Sequence, residues 1–189
     1  MLPKKYQTID DWIESLYEEI IISKLNIKDC KDLEKFIVNK RLKETYGLVD
    51  FTCDYRKVPY EKDSAMEFEL MRMLNSFNLR YIFSILAYQA KEASAELYKI
   101  EHQGDSNYKF TKNHVFRYKL ASYLTHLLQK KQNPKFDRDL PIDWTYSELE
   151  NFISAQIIGN YEHWEVYTPD EILALWVESV GMQNDEENI

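Results

Sequence analysis

The sequence is poor in the residues that build tight turns. Its 189 residues include four glycines and five prolines, whereas β-sandwiches and barrels need many turn residues. The two cysteines, Cys30 and Cys53, form no CxxC pair and are too few for a disulfide framework. These shortages favour a mainly α fold of six or seven helices in a compact helical domain, and they favour a reducing, cytoplasmic location.

Motifs for common cofactors are also missing. There is no GxGxxG or GxxxxGK[ST] loop to hold phosphates, and the four histidines fall in no HExxH or HxxxH pattern. We therefore expect no cofactor, no metal and no catalytic residue, which favours a non-enzymatic role. The longest apolar run, residues 81–87, is too short to cross a bilayer, and the first residues lack the apolar core of a signal peptide. We expect no membrane partner.

Apolar residues at helical spacing predict helices over most of the chain. Capping boxes mark three helix starts: Ser64 with Glu67, Thr145 with Glu148, and Thr168 with Glu171. The predicted helices cover residues 9–20, 29–46, 64–102 with a break near 75–78, 112–132, 145–158 and 168–180.

One segment has a different period. Residues 49–56, VDFTCDYR, alternate apolar and polar side chains, and Gly47 precedes them as the end of a helix. This pattern predicts a short half-buried strand, with residues 107–110 and 162–167 as candidate neighbours, so the fold is α+β at the margin. Such a strand could pair across a two-fold axis, which makes a homodimer compatible with the sequence.

Charge is distributed very unevenly. Residues 108–138 carry eight basic side chains and one acidic, whereas residues 139–189 carry 12 acidic side chains and no lysine or arginine. We therefore divide the chain into a helical core, 1–138, and an acidic C-terminal helical subdomain, 139–189, packed on the same core. A loop at 133–143 is the expected hinge.

The acidic subdomain interleaves carboxylates with aromatic rings, a surface that suits a basic protein partner. Charges steer the encounter, and rings supply buried anchors. In size and acidity the chain resembles immunity proteins against nuclease toxins and phage-encoded anti-CRISPR inhibitors. The leading interpretation is thus a non-enzymatic inhibitor of a basic nuclease or nucleic-acid-processing complex. The expected contacts are Tyr146, Tyr161, Glu162, Trp164, Glu165, Tyr167, Asp170 and Glu171.

The basic segment gives the first alternative, a nucleic-acid-binding regulatory module. Its lysines and arginines lie among aromatic residues, the combination that holds single strands. The acidic subdomain could instead cover this segment within the same chain. The candidate contacts are Lys109, Lys112, Arg117, Lys119, Lys130 and Lys131.

A second alternative is a helical RNase of the HEPN type, which this chain resembles in size and class. That resemblance implies an arginine followed, after four to six residues, by a histidine. Here eight residues separate Arg117 from His126, which places the two on roughly opposite faces of one helix. The sequence therefore departs from the HEPN pattern.

Overall fold

The computed structural model describes residues 27–103, 111–147, 150–151, 154–155 and 165–175. Within these ranges the chain is helical, which confirms the mainly helical prediction, and it contains no β-strand. No helix in the described ranges combines the length and the apolar character needed to span a membrane. The helices are α1, Ile27–Arg56; α2, Ser64–Leu74; α3, Leu79–Gln103; a 3-10 turn, Lys112–His114; and α4, Val115–Lys130.

The chain divides into two compact units. One unit, Val38–Leu140, holds most of α1 together with α2, α3 and α4. The other unit combines Met1–Ile37 with Pro141–Ile189. The predicted division after residue 138 and the predicted packing of the acidic subdomain stay predictions.

The strand predicted for residues 49–56 is wrong, because this segment is the C-terminal part of α1. Gly47 does not end a helix either; it lies exposed inside α1. The homodimer was argued from pairing of this strand between two protomers across a two-fold axis. Because the segment is helical, that basis for a homodimer no longer applies. Of the other two strand candidates, residues 107–110 lie outside the described residues. The described part of 162–167, residues 165–167, is a 3-10 turn followed by a bend and not a strand.

Polar residues on the buried face of α1 explain the error. The face follows a helical 3-4 spacing, but half of its positions carry polar or charged side chains. Two of them, Thr45 and Thr52, donate their hydroxyls to the carbonyls of Arg41 and Leu48, each at 2.8 Å, so they are buried without losing a hydrogen bond. The buried positions are Ile37, Arg41, Glu44, Thr45, Leu48, Val49, Thr52 and Cys53.

Gly47 gives a direct test of the helical assignment. A glycine in an exposed helix interior destabilises the helix by about 0.5–1 kcal/mol relative to alanine. We expect Gly47→Ala to raise the free energy of unfolding by about that amount in a denaturant titration. If Gly47 ended a helix in the left-handed conformation, as the sequence pattern predicted, the same substitution would lower the free energy of unfolding.

The core of the Val38–Leu140 unit is built around α3. This helix contains the longest apolar run of the sequence, residues 81–87, in which Ile82, Ile85 and Leu86 are at most 1% exposed. The break between α2 and α3 falls where it was predicted, and Asn78 accepts a hydrogen bond from the Tyr81 amide at 2.9 Å to begin α3. Burial of each such aliphatic side chain contributes about 1.5–3 kcal/mol. The other inward residues at most 1% exposed include Leu48, Val49, Met66, Leu70, Met73, Leu74, Val115, Phe116, Leu120 and Leu124.

Two of the three predicted capping boxes change in detail. α2 is capped by the Asp63 carboxylate, which accepts from the Met66 amide at 2.7 Å, and not by Ser64. The box expected at Thr145 forms two residues later: Glu150 accepts from both the amide and the hydroxyl of Ser147 at 2.6 Å. The sequence TYSELE fits the box in both registers, so the pattern alone could not choose between them.

The third capping box is confirmed in the other unit. Glu171 accepts from the Thr168 amide at 2.7 Å, and the Thr168 hydroxyl accepts from the Glu171 amide at 3.3 Å. This cap begins the helical residues 169–175. Their buried member, Ile172, packs against Ile37, with Phe36, Tyr146 and Tyr167 partly buried around the pair.

Candidate functional site

A pocket of about 590 Å³ opens in the Val38–Leu140 unit, a size typical of a small-ligand site. Residues on α1 and α3 lie at helical spacing along its walls, α4 contributes one tyrosine, and the segment 134–138 completes it. We call this site the basic aromatic pocket. Its lining residues are Phe51, Thr52, Tyr55, Arg56, Phe83, Ser84, Ala87, Tyr88, Lys91, Tyr123, Pro134, Lys135, Phe136 and Arg138.

Six aromatic side chains line the pocket. Phe51 of α1 meets Phe83 of α3 at 6.0 Å between ring centroids, and Tyr88 of α3 meets Tyr123 of α4 at 5.4 Å. Burial, with Tyr88 nearby, raises the pKa of the Tyr123 phenol, so its hydroxyl stays a neutral donor. Phe136 is 60% exposed beside them. These rings are therefore both held in place and accessible to a planar ligand.

All four charged residues of the pocket are cations: Arg56, Lys91, Lys135 and Arg138. They are exposed, and within the described ranges none of them has an acidic side chain at ion-pair distance. Lys135 lies over the ring of Phe136 at 5.3 Å, which links the two kinds of surface. The pocket therefore offers four positive charges that form no ion pair within the part of the chain that the structure describes.

Arg80 ties the segment that carries two of these cations to α3. Its guanidinium donates to Asp137 at 2.9 Å and to Asp139 at 2.6 Å. Because the acids of the segment bind Arg80, its other side chains, Lys135 and Arg138, are left to line the pocket. In the sequence KFDRD, residues 135–139, the two acids thus hold the segment on Arg80 and the two cations line the pocket.

We expect Arg80→Gln to loosen this segment without unfolding the unit. Two largely exposed ion pairs contribute about 0.2–1 kcal/mol each, so amide exchange in residues 132–140 should become roughly 2- to 30-fold faster. Hydrogen–deuterium exchange measures this directly. Arg56→Gln is the matched control, since Arg56 has no carboxylate partner in the described ranges, and it should leave the exchange unchanged. Equal amide exchange in the Arg80 variant and the wild type would show that these two ion pairs do not hold the segment on α3.

Three of the six cations predicted to bind nucleic acid are already paired within the unit. Lys112 binds Glu101 at 2.7 Å. Arg117 binds Asp63 at 2.9 Å, and Lys119 binds Glu96 at 3.4 Å. Lys130 and Lys131 are exposed at the end of α4, and Lys109 lies outside the described residues. The basic segment contributes to the pocket through Lys135 and Arg138 instead.

The residues predicted to bind a protein partner lie in the other unit, and several have local partners there. The Tyr146 hydroxyl donates to Glu165 at 2.8 Å, and Tyr167 packs beside the Ile37–Ile172 pair. Glu171 caps the helical residues 169–175, whereas Asp170 is exposed. Tyr161, Glu162 and Trp164 lie outside the described residues.

Three potential metal ligands converge near the start of α4. The ligand atoms of Glu61, Asp63 and His114 lie within 4.8 Å of one another. Each carboxylate, however, is already engaged: Asp63 caps α2 and binds Arg117 at 2.9 Å, and Glu61 accepts from the side-chain Nδ2 of Asn113 at 2.9 Å. The arginine supplies the positive charge that a cation would bring, so hydrogen bonding and ion pairing account for the cluster.

The groups considered for catalysis do not form a reactive arrangement. Burial raises the pKa of the Cys53 thiol to about 12, so it is protonated at neutral pH and packs in the core. Arg117 and His126 lie nine positions apart on α4, about 13 Å along the helix axis. They are too far apart to act together on one phosphodiester in the manner of a HEPN RNase.

Phe51, Tyr55 and the α3 side of the pocket were missed by sequence reasoning. The strand prediction assigned Phe51 and Tyr55 to a buried face, whereas on α1 they lie one turn apart and are 45% and 75% exposed. A helical interpretation of residues 49–56 would have placed them together. Tyr88 and Lys91 gave no signal of their own, since their importance depends on what α1 and α4 bring beside them.

Comparison of the chain with protein-family models, with curated proteins and with solved structures finds no match.

Proposed function

We propose that the Val38–Leu140 unit is a non-enzymatic nucleic-acid-binding module and that its contact surface is the basic aromatic pocket. The observation that carries this proposal is the set of four cations, none of which forms an ion pair in the described ranges, around accessible rings. Lysines and arginines contact phosphates, and aromatic rings stack on bases. A nucleic-acid-binding module was the first alternative predicted from the sequence, but the contacts proposed for it are now different residues.

The composition of the lining favours nucleic acid over a lipid or a fatty acid. Six of the fourteen lining residues are aromatic, and none is leucine, isoleucine, valine or methionine. A site for an alkyl chain is lined mainly by flexible aliphatic side chains, whereas planar rings pair with planar ligands. A fatty acid has one carboxylate headgroup, which needs fewer cations than the four that the pocket provides.

Fluorescence anisotropy with a labelled oligonucleotide tests the proposal. We expect binding at low salt that weakens as salt rises, and a several-fold loss of affinity in Lys91→Gln. Lys99→Gln is the matched control, because Lys99 is also an exposed lysine of α3 but does not line the pocket. No binding by the wild type, or an equal loss in both variants, would contradict the proposal.

We also propose, as a second function, that the acidic C-terminal region inhibits a basic protein partner such as a nuclease or nucleic-acid-processing complex. Two observations support it: Asp170 is exposed and Tyr167 partly exposed, and the sequence has no lysine or arginine after residue 138. The contacts would be the acids and rings of residues 146–171. Anti-CRISPR and immunity proteins remain analogies of size and acidity for this proposal.

A nuclease-inhibition assay with the partner recovered by pull-down separates the second function from the first. A basic nuclease retained by the wild type, inhibited by it, and released by Trp164→Ala with Asp170→Lys would support the inhibitor. Retention that is unchanged in this variant would argue against the acidic region as the contact surface.

A further inference from the structure

We infer that the basic aromatic pocket takes the unpaired nucleotides of a single strand, about four of them, and excludes duplex. This inference rests on the proposed nucleic-acid function and names the class of ligand. It follows from the position of the rings, the size of the pocket and the number of its cations.

The rings can stack only on bases that are free to leave a helix. Tyr88, Tyr123 and Phe83 belong to the walls of the pocket, and Tyr123 and Phe83 are half-buried there. A base must therefore enter the pocket to reach them. In a duplex both faces of each base are covered by neighbouring pairs, so no ring of the pocket could reach a base without unstacking.

The size of the pocket also excludes a double helix. A pocket of about 590 Å³ holds a small number of bases. A double helix is too wide to enter it, since the major groove of a duplex alone is about 12 Å wide. A duplex would therefore contact only the exposed cations of the pocket and would make no stacking contact with its rings. Its affinity should then come from phosphates alone.

The four cations set the expected number of phosphates. If each neutralises one phosphate, a single strand should give a slope of about −3 for the logarithm of affinity against the logarithm of salt concentration. Affinity should then fall roughly 50-fold between about 50 mM and about 200 mM salt. A much longer contact track would give a steeper slope.

The experiment titrates the full chain with labelled single-stranded DNA and RNA of about four, eight and sixteen nucleotides, and with the sixteen-base-pair duplex. We expect the tetranucleotide to retain most of the affinity of the longer strands after correction for the number of registers. The duplex should bind at least about tenfold more weakly. Duplex binding equal to that of the strand, or affinity that keeps rising steeply with length, would overturn the inference.

Two ring variants make the result specific to stacking. We expect Tyr88→Ala to weaken single-strand binding by about 5- to 150-fold while leaving weak duplex binding unchanged. Tyr98→Ala is the control, since Tyr98 is an exposed tyrosine of the same helix that stacks on His102 outside the pocket. If neither strand nor duplex binds, the proposed function fails. If both bind alike and Tyr88→Ala has no effect, the function stands and the inference fails.

Discussion

Reversing two charges of the basic aromatic pocket, with Lys91→Glu and Lys135→Glu, is expected to abolish nucleic-acid binding. The pocket would change from four positive charges to two positive and two negative. Each charge-assisted hydrogen bond to a phosphate contributes about 1.5–3 kcal/mol, so losing two corresponds to at least about 100-fold in affinity. Both lysines are exposed, so the fold should be unaffected. Anisotropy gives the affinity, and circular dichroism checks the helix content.

A matched pair of reversals outside the pocket separates local from overall charge. Lys99→Glu with Lys130→Glu changes the net charge by the same amount, and both lysines are exposed and are not among the lining residues. This control should lose less than about tenfold, because long-range charge effects are largely screened beyond about 10 Å at 0.1 M salt. Equal losses in the two double variants would mean that the pocket is not where nucleic acid binds.

Truncating Phe116 to alanine should have the largest effect on stability, about 3–5 kcal/mol. Phe116 is fully buried on α4 and meets the Tyr60 ring at 6.2 Å. Tyr60 in turn donates to Asp50 of α1, which also binds Lys62 at 2.8 Å. The cavity left by the substitution would thus lie beside the hydrogen bonds that join α1 to the loop before α2.

Chemical denaturation measures this effect, with Phe68→Ala as the control. Phe68 is 61% exposed on α2, so its truncation should change the free energy of unfolding by no more than about 0.5 kcal/mol. A cost below about 1 kcal/mol for Phe116→Ala would contradict the packing described for α4.

Helix positions were predictable where the buried face was apolar, and not where it was polar. On α4 the helical period predicts Phe116, Leu120, Leu124, Leu127 and Leu128 on the inner face. The first four are buried, whereas Leu128 is only partly buried. The buried face of α1 includes Arg41, Glu44, Thr45 and Thr52. Because these polar positions interrupt the helical period of apolar residues, the alternation in residues 49–56 arose by coincidence. Hydrophobic periodicity cannot detect a face whose polar groups find their hydrogen bonds inside the protein.

The candidate site was less predictable than the fold, because ion pairing depends on which helices become neighbours. The sequence marked residues 108–138 as basic, yet only folding brings three of these cations to acidic partners. The pairs are Lys112 with Glu101, Arg117 with Asp63, and Lys119 with Glu96.

 

These sequence separations are 11, 54 and 23 residues, and no local pattern reveals pairs so far apart. The cations that line the pocket come from α1, α3 and the segment 134–138, so three distant parts of the chain must fold before they meet. Sequence reasoning could identify Lys135 and Arg138 as basic, but it could not show that their carboxylate neighbours Asp137 and Asp139 bind Arg80 instead.

The most direct test of the central claim is to locate a bound strand by photocrosslinking. A single-stranded oligonucleotide carrying photoreactive thymine analogues is irradiated with the full chain, and the crosslinked peptides are identified by mass spectrometry. The account predicts crosslinks to the rings of the pocket, above all Tyr88, Tyr123 and Phe136. Crosslinks confined to other surfaces, such as Tyr98 or Tyr118, or no crosslink at binding saturation, would contradict it.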